Sequence, residues 1–452
     1  MKRLAAGVLA GLFLVLMCSS VLLAAPGIRV SINGQERTMD PAPRIVDDRV
    51  MVPLRFVVED PALQSQVEWD GRQKRATVSC QGQRFDFDIG KKTVYVNGAG
   101  LPIDAAPCIY RERTFIPVRF LAEHLGAVVG WVPRSYMVTL DFQSEPIVFA
   151  YYYGDGFSEL QQRANLLTDV AFRWYQTDER GQLSYEYSDA RYQHKFGEVA
   201  AWAQKQGLKT HASVMLFNRE QLSVLLNSPG NRKNLITNLK KVVKEHNFDG
   251  VNIDFEMIAP EDKDSFTGFL KELKAGLGWD KTVSVAVFAR TGKENWPTPY
   301  DYKALGQVCD LVVIMAYDYS YNQAGPVAPL DWCGQVVDYA VKNISRSRIV
   351  MGMGTYGYDW VGQQRKSVNQ ARLNQLQQEY VAQGYYDEKS SSPCLIYIDG
   401  DQQVHQVWYE NRTSLGAKWR LYQEKGVGGV SFWKISGAFT DFYGLLQTEL
   451  KK

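Results

Sequence analysis

Residues 248–256 read Phe248-Asp249-Gly250-Val251-Asn252-Ile253-Asp254-Phe255-Glu256. As a strand, this segment alternates its side chains between two faces. Val251, Ile253 and Phe255 fall on one face, all apolar, and Asn252, Asp254 and Glu256 on the other, all polar. Such a strand suits a closed barrel, whose outer face packs on helices and whose inner face carries chemistry at its C-terminal end. Carboxylates at i and i+2 sit close enough to couple, so that one holds a proton the other orients, as acid catalysis of glycoside cleavage requires. Asp249, at the start of the strand, is expected to be structural, held by backbone donors. The bland alternative is a buried strand whose acids are satisfied by local hydrogen bonds.

Around this strand, from residue 147 onward, apolar runs alternate with amphipathic stretches, the mark of βαβ units. Eight strands are predicted: Ile147–Tyr153, Leu167–Tyr175, Thr210–Leu216, Gly250–Glu256, Val283–Phe288, Leu311–Tyr317, Ile349–Gly354 and Gly429–Trp433. Helices are predicted over Arg232–His246, Pro260–Leu277 and Ser414–Lys425. In the second of these, Phe266, Phe269, Leu270 and Leu273 recur at helical spacing. Eight β/α units over 147–448 indicate an α/β fold, a (β/α)8 TIM barrel. The connection between strands seven and eight is long. Two β-like runs within it, Cys394–Ile398 and Val404–Trp408, flank Asp399-Gly400-Asp401 and predict a small α+β insertion forming one wall of a cleft.

A chain of 452 residues is expected to hold two domains. With 51 basic and 49 acidic residues there is no cationic excess to neutralise phosphates, which argues against nucleic acid as a partner. Residues 1–25 read as a secretory signal: Lys2 and Arg3, an uncharged run from Leu4 to Leu23, then Ala24-Ala25. The run is also long enough to stay as an uncleaved anchor, and Cys18 raises the question of a lipoprotein. No second bilayer-spanning segment follows, which places the mature chain outside the cytoplasm. After processing, Cys80, Cys108, Cys309, Cys333 and Cys394 remain, an odd number. Disulfides Cys80–Cys108 and Cys309–Cys333 are candidates in an oxidising compartment. With no CxxC spacing and five scattered His, neither a metal site nor a cofactor is expected.

The N-terminal region contains an internal repeat. Val50-Met51-Val52-Pro53-Leu54-Arg55-Phe56-Val57 is echoed by Thr114-Phe115-Ile116-Pro117-Val118-Arg119-Phe120-Leu121. A helix-like stretch and a tryptophan strand follow each copy, at Val67–Asp70 with Ala76–Val78, and at Val129–Trp131 with Met137–Leu140. This resembles the small α+β stalk domain found at the N-terminus of copper amine oxidases, over residues 27–142. The region carries no His cluster for copper. It is expected to be structural or to attach the chain to the cell wall or spore envelope. Arg55 and Arg119 are expected to be buried, each paired to a backbone or carboxylate partner. Ser144-Glu145-Pro146 is the linker to the barrel.

Asp249, Gly250, Asp254 and Glu256 match DGxDxDxE, so the opening stretch resembles the signature of glycoside hydrolase family 18, the chitinase-like hydrolases. Met315-Ala316-Tyr317-Asp318 on strand six and Trp433 at the end of strand eight resemble two further sites of that family. The resemblance implies substrate-assisted retaining hydrolysis. In this scheme Glu256 is the general acid and then the base, Asp254 orients the acetamido group, and Tyr317 hydrogen-bonds its carbonyl. Trp433 floors the reacting sugar, Asp318 meets a sugar hydroxyl, and Met315, Asn252 and Tyr356 complete the substrate-binding set. Asn252 stands where the signature has aspartate. An amide cannot share charge with Asp254, so the pH profile is expected to differ.

Asn252–Glu256, Tyr356-Gly357-Tyr358-Asp359-Trp360, and Val407–Asn411 with Ser414 and Lys418 resemble the spore-cortex-lytic branch. The resemblance implies a secreted or envelope-bound, even spore-associated, enzyme. It would act on β-1,4-linked N-acetylglucosamine polymers, peptidoglycan before chitin. Two other classes stay open: a catalytically silent lectin, and a passive envelope scaffold.

Overall fold

Each strand of the predicted series forms in the computed structural model. The described residues are 27–449, apart from 33–34, 60–64, 81–82, 126, 143–145, 155, 186–195, 279–280 and 436–438. The signal-like segment with Cys18, and Ser144-Glu145 of the linker, lie outside them.

The barrel strands are β1 (Ile147–Tyr152), β2 (Asp169–Thr177), β3 (Lys209–Leu216), β4 (Gly250–Phe255), β5 (Thr282–Phe288), β6 (Leu311–Met315), β7 (Ile349–Gly354) and β8 (Gly429–Ile435). They run parallel, each beside the next, and β1 pairs with both β2 and β8, so the sheet closes. A short strand, Leu183–Tyr185, pairs antiparallel with β2 outside the closed ring. β6 stops at Met315, two residues short of its expected end, which puts Tyr317 and Asp318 in the loop above the barrel.

Alternation along the strands separates two cores. Val251, Ile253 and Phe255 face outward into the main core with the helices. Phe255 stacks on Phe269 of the helix Lys263–Leu277, with ring centroids 5.8 Å apart. The helix Pro229–Glu245 starts where Ser228 accepts from the Asn231 amide and Pro229 takes the first turn, whose N–H needs no partner. Inside the barrel, Ile147, Phe149, Tyr151, Ala171, Leu311, Val313 and Val350 form a second cluster, with Trp433 packed against it. This plug closes the barrel below the mouth.

The connection from β7 to β8 holds more structure than its sequence suggested. Five antiparallel strands form there: Gly357–Val361, Gln364–Val368, Gln383–Asp387, Ser392–Ile398 and Val404–Tyr409. A helix, Gln370–Glu379, is capped by Asn369 and buries Leu373 and Leu376.

Residues 29–142 form a β-rich N-terminal unit. The sequence repeat becomes one strand–helix unit used twice: Arg49–Pro53 leads into Leu54–Val58, and Arg113–Pro117 into Val118–His124. The two strands pair antiparallel, with Ile116 opposite Val52. Arg55 and Arg119 correct an expectation. Each has a carboxylate partner, Glu59 and Glu123, but both side chains are about half exposed, at 55% and 46%. Helix geometry explains this: Leu54, Val57, Val118 and Leu121 turn inward, leaving the arginines on the other face.

This unit meets the barrel below β7. Arg348 bonds the Glu123 carboxylate at 2.6 Å, and Ser345 and Ser347 donate to the carbonyls of Glu123 and Ala127. The two candidate disulfides do not form, and all five described cysteines are free thiols. Cys80 and Cys108 pack into different apolar clusters. Cys309 ends the helix before β6, whereas the Cys333 thiol faces the carbonyls of Ala316 and Ala328. Among the described residues no helix is long and apolar enough to cross a membrane.

Candidate active site

The polar face of β4 climbs through the barrel in three steps. Asn252 is the lowest and is fully buried. Its carbonyl accepts from Ser213 on β3 at 3.1 Å and its amide donates to Ser284 on β5 at 2.9 Å. Both ends of its amide are thus engaged inside the barrel wall. One pleat higher, Asp254 is also buried. Its carboxylate lies 3.8 Å from the guanidinium of Arg173 on β2.

Glu256 follows at the mouth, just past the end of β4. Its carboxyl pKa is raised from 4.5 to about 7, first by burial and then by the charge of Asp254; Arg173 opposes the rise and Asp318 adds to it. Burial beside a second carboxyl group thus keeps Glu256 protonated close to neutrality. The end of β4 is held by Tyr300, whose hydroxyl donates to the Phe255 carbonyl at 2.8 Å. Asp249, at the other end, accepts from both the amide and the hydroxyl of Thr210, at 2.8 and 3.0 Å.

Facing β4 are Tyr317 and Asp318. The Tyr317 hydroxyl is pushed well above its ordinary pKa by burial, with Tyr151 and Asp254 adding to the rise, so it acts as a donor. Asp318 adopts a left-handed backbone, φ 58°. Its carboxylate accepts from Tyr356 at 2.7 Å and Tyr358 at 2.9 Å. Tyr356 stands edge-on to Tyr317, with centroids 6.2 Å apart. Met315 closes β6 below them, half-buried. Trp433 packs against Tyr151 and Tyr153 at 5.8 and 5.6 Å, and the hydroxyl of Thr355 donates to its carbonyl. The fold therefore gathers Glu256, Asp254, Tyr317, Asp318, Tyr356, Met315 and Trp433 at one end of the barrel, with Asn252 beneath.

Tyr151 and Arg173 join this group, and the sequence reading missed both. Tyr151 is buried, its pKa pushed up by burial and then by Asp254. Arg173 had a legible signal: it is the only charge within the apolar run Val170–Tyr175. Tyr153 and Tyr358 belong to the same walls.

The segments Tyr356–Trp360 and Val407–Asn411 become neighbours. Gly357 pairs with Tyr409, and the Glu410 amide donates to the Tyr356 carbonyl at 3.2 Å. Glu410 and Lys418 form an ion pair 1% exposed on both sides, 2.8 Å long, with Ser414 donating to the same carboxylate oxygen at 2.5 Å. A capping box between Asn411 and Ser414 starts the helix Arg412–Glu424 there. These residues join the insertion to the barrel behind Tyr356.

The family model of glycosyl hydrolases family 18 matches residues 147–438, and that of the copper amine oxidase N-terminal domain matches residues 31–140. The chain is similar to the cortical fragment-lytic enzyme of Bacillus anthracis, 31% identical over 241 residues, or 51% of this chain and 56% of that one. It is also similar to the cortical fragment-lytic enzyme of Bacillus subtilis (strain 168), 29% identical over 256 residues, 53% and 58% of the two chains. It thus spans a little over half the length of these curated relatives. Among solved structures, the spore cortex-lytic enzyme SleL of Bacillus cereus superposes with a TM-score of 0.60 at 27% identity, covering 67% of this chain and 74% of that one. A chitinase from Chromobacterium violaceum ATCC 12472 gives 0.63 at 27% identity, covering 68% and 99%.

Proposed function

Because this chain belongs to glycosyl hydrolases family 18, we propose that it is a hydrolase of β-1,4-linked N-acetylglucosamine polymers, with peptidoglycan preferred to chitin. The observation that carries this reading is the Glu256 carboxyl, raised to about 7 beside the carboxylate of Asp254 at the barrel mouth. Near neutral pH that acid still holds a proton to give. The names of the relatives, cortical fragment-lytic enzymes, support peptidoglycan of the spore cortex as the substrate.

In the proposed reaction the N-acetyl carbonyl oxygen of the bound sugar attacks its own anomeric carbon. Glu256 gives its proton to the leaving glycosidic oxygen as that bond breaks, and an oxazolinium ion forms. Asp254 orients the acetamido N–H and balances its positive charge, while the Tyr317 hydroxyl donates to the acetamido oxygen. Water then adds to the anomeric carbon and returns a proton to Glu256, with overall retention. Trp433 is the apolar floor under the ring, Asp318 and Tyr356 meet its hydroxyls, and Met315 lines the wall. Asn252 supports Asp254 from below, and Asp249 anchors the strand. The N-terminal unit attaches the enzyme to the cell wall or spore envelope, and residues 1–25 direct it out of the cytoplasm.

The test is hydrolysis of purified cortex, vegetative peptidoglycan and chitin oligomers, with mass-spectrometric product analysis. Wild type should cleave, with cortex fragments preferred. Glu256→Gln should lose about 10²–10⁴-fold in turnover while still binding saccharide. Binding without turnover by the wild type would instead make the protein a lectin. An oligomer lacking the acetyl group at the reacting sugar should resist cleavage, and equal rates for the acetylated and de-acetylated pair would overturn substrate assistance.

A further inference from the structure

We propose that Arg173 is a positioning residue of this site: a fixed counter-charge that keeps Asp254 ionised beside a protonated Glu256, in place of the proton sharing that Asn252 cannot perform. The inference builds on the hydrolytic reading above.

Three observations carry it. The first is Asn252. Its carbonyl and amide are committed to the hydroxyls of Ser213 and Ser284, and an amide neither takes nor gives a proton near neutrality. Asn252 therefore offers Asp254 no proton to share.

The second is the placement of Arg173. It projects inward from β2, only 8% exposed, with its Nε 3.8 Å from an Asp254 carboxylate oxygen. A guanidinium stays charged at every relevant pH. An opposite charge this close favours the ionised form of a carboxylate.

The third is the box around Arg173. Its guanidinium carbon lies 5.1 Å from the ring centre of Tyr153, 5.4 Å from that of Phe217 and 5.3 Å from that of Trp433. Each ring face attracts a cation, and the Arg173 and Asp254 side chains keep only 9% and 8% of their surface exposed. One of these rings, Trp433, is the proposed sugar floor. Sugar seated on it would seal the box and strengthen the pair further as the local dielectric falls.

The other charged or titratable groups here are Glu256 on the same strand, Asp318 and Tyr317 above β6, Tyr151 on β1, and Tyr300 after β5. Lys434 adds a second cation on the rings of Tyr153 and Trp433, at 4.0 and 5.6 Å. With Asp254 held as the anion, the acetamido N–H of a substrate meets a ready acceptor. No proton must first move off Asp254. Glu256, facing a fixed negative neighbour, keeps the proton it must donate.

The test uses the full chain with carboxyl-¹³C-labelled Glu and Asp, titrated by NMR. The Asp254 and Glu256 signals are assigned by their absence in Asp254→Asn and Glu256→Gln. In Arg173→Met and Arg173→Gln the Asp254 midpoint should rise by about 1–3 pH units, and in Arg173→Lys it should stay near the wild-type value. Gln keeps a hydrogen-bond donor for Asp254 where Met leaves none, so a neutral side chain compatible with the fold is among the variants. On N-acetyl-chitotetraose, kcat should fall toward acid pH in step with the Asp254 midpoint, because a protonated Asp254 no longer offers the acetamido N–H a ready acceptor. A merely structural arginine would lower activity without moving the Asp254 midpoint. Coincident midpoints in wild type and a folded neutral variant would overturn the proposal. Failure of the wild type to cleave would sink the hydrolytic reading, while the titration would still decide the role of Arg173.

Discussion

Glu256 shows how a single position acquires a function from its surroundings. As a solvated side chain it would lose its proton well below neutrality; burial and the charge of Asp254 raise it to about 7. The basic limb of kcat/KM should therefore fall near pH 7, since the free enzyme must hold that proton. A limb below about pH 5 would contradict it. The same shift has a stability consequence. The folded protein binds this proton more tightly than the unfolded chain, so the favourable contribution is complete below 4.5 and is lost as pH rises through about 7. Glu256→Gln removes that loss. Thermal melts of the two chains should differ little at acid pH and diverge on raising it, with the variant gaining up to about 3 kcal/mol. A constant difference across the range would refute the assigned environment.

At the scale of the element, the close packing of barrel strands decides what the loops above them can hold. β7 carries glycine at 352, and a Cβ there would lie 2.6 Å from the Ile314 carbonyl oxygen and 2.9 Å from the Tyr317 ring. Tyr317 can lean over the barrel mouth because β7 presents no side chain at that point. Gly352→Ala should displace the ring and cost about 1–3 kcal/mol in stability. In chemical denaturation and oligomer hydrolysis, turnover should fall further than the stability change explains. Unchanged turnover would show that Tyr317 needs no such room. The insertion makes a similar point. Tyr358 reaches Asp318 only because its strand pairs with Val404–Tyr409, whose next residue, Glu410, is tied into the barrel helix by Lys418. Breaking a buried pair by removing one partner is severe, because it strands the other charge.

Across the whole molecule, the N-terminal unit touches the barrel below β7, opposite the mouth. Removing it leaves Arg348 with the carbonyls of Gly306 and Cys309, at 2.8 and 3.1 Å, to replace the lost Glu123 carboxylate. A chain shortened to begin at Pro146 should stay folded and cleave soluble oligomers, since the barrel keeps its own core. Its binding to insoluble wall, measured by co-sedimentation, should weaken. Undiminished sedimentation would remove attachment as the role of the N-terminal unit, and a chain that fails to fold would show that the two units share one stability.

By itself the sequence determined the barrel, because period-2 alternation in 250–256 and helical spacing in 260–277 are local facts that burial on one face enforces. It also exposed Asp254, Glu256, Tyr317 and Trp433, which lie near or just beyond the C-terminal ends of their strands. Other features depended on which strands become neighbours. Arg173 and Asp254 stand far apart in the chain and meet only across the closed barrel, and Asn252 is committed to Ser213 and Ser284 for the same reason. The thiols of Cys309 and Cys333 lie close in sequence, yet packing turns them into separate environments. Three further strands of the insertion were hidden because each is only five residues long, and two of them, Gln364–Val368 and Gln383–Asp387, carry almost no aliphatic residue, so antiparallel pairing fixes them. Local pattern follows from side-chain chemistry, whereas a site made from eight strands needs the distances that only closure of the barrel provides.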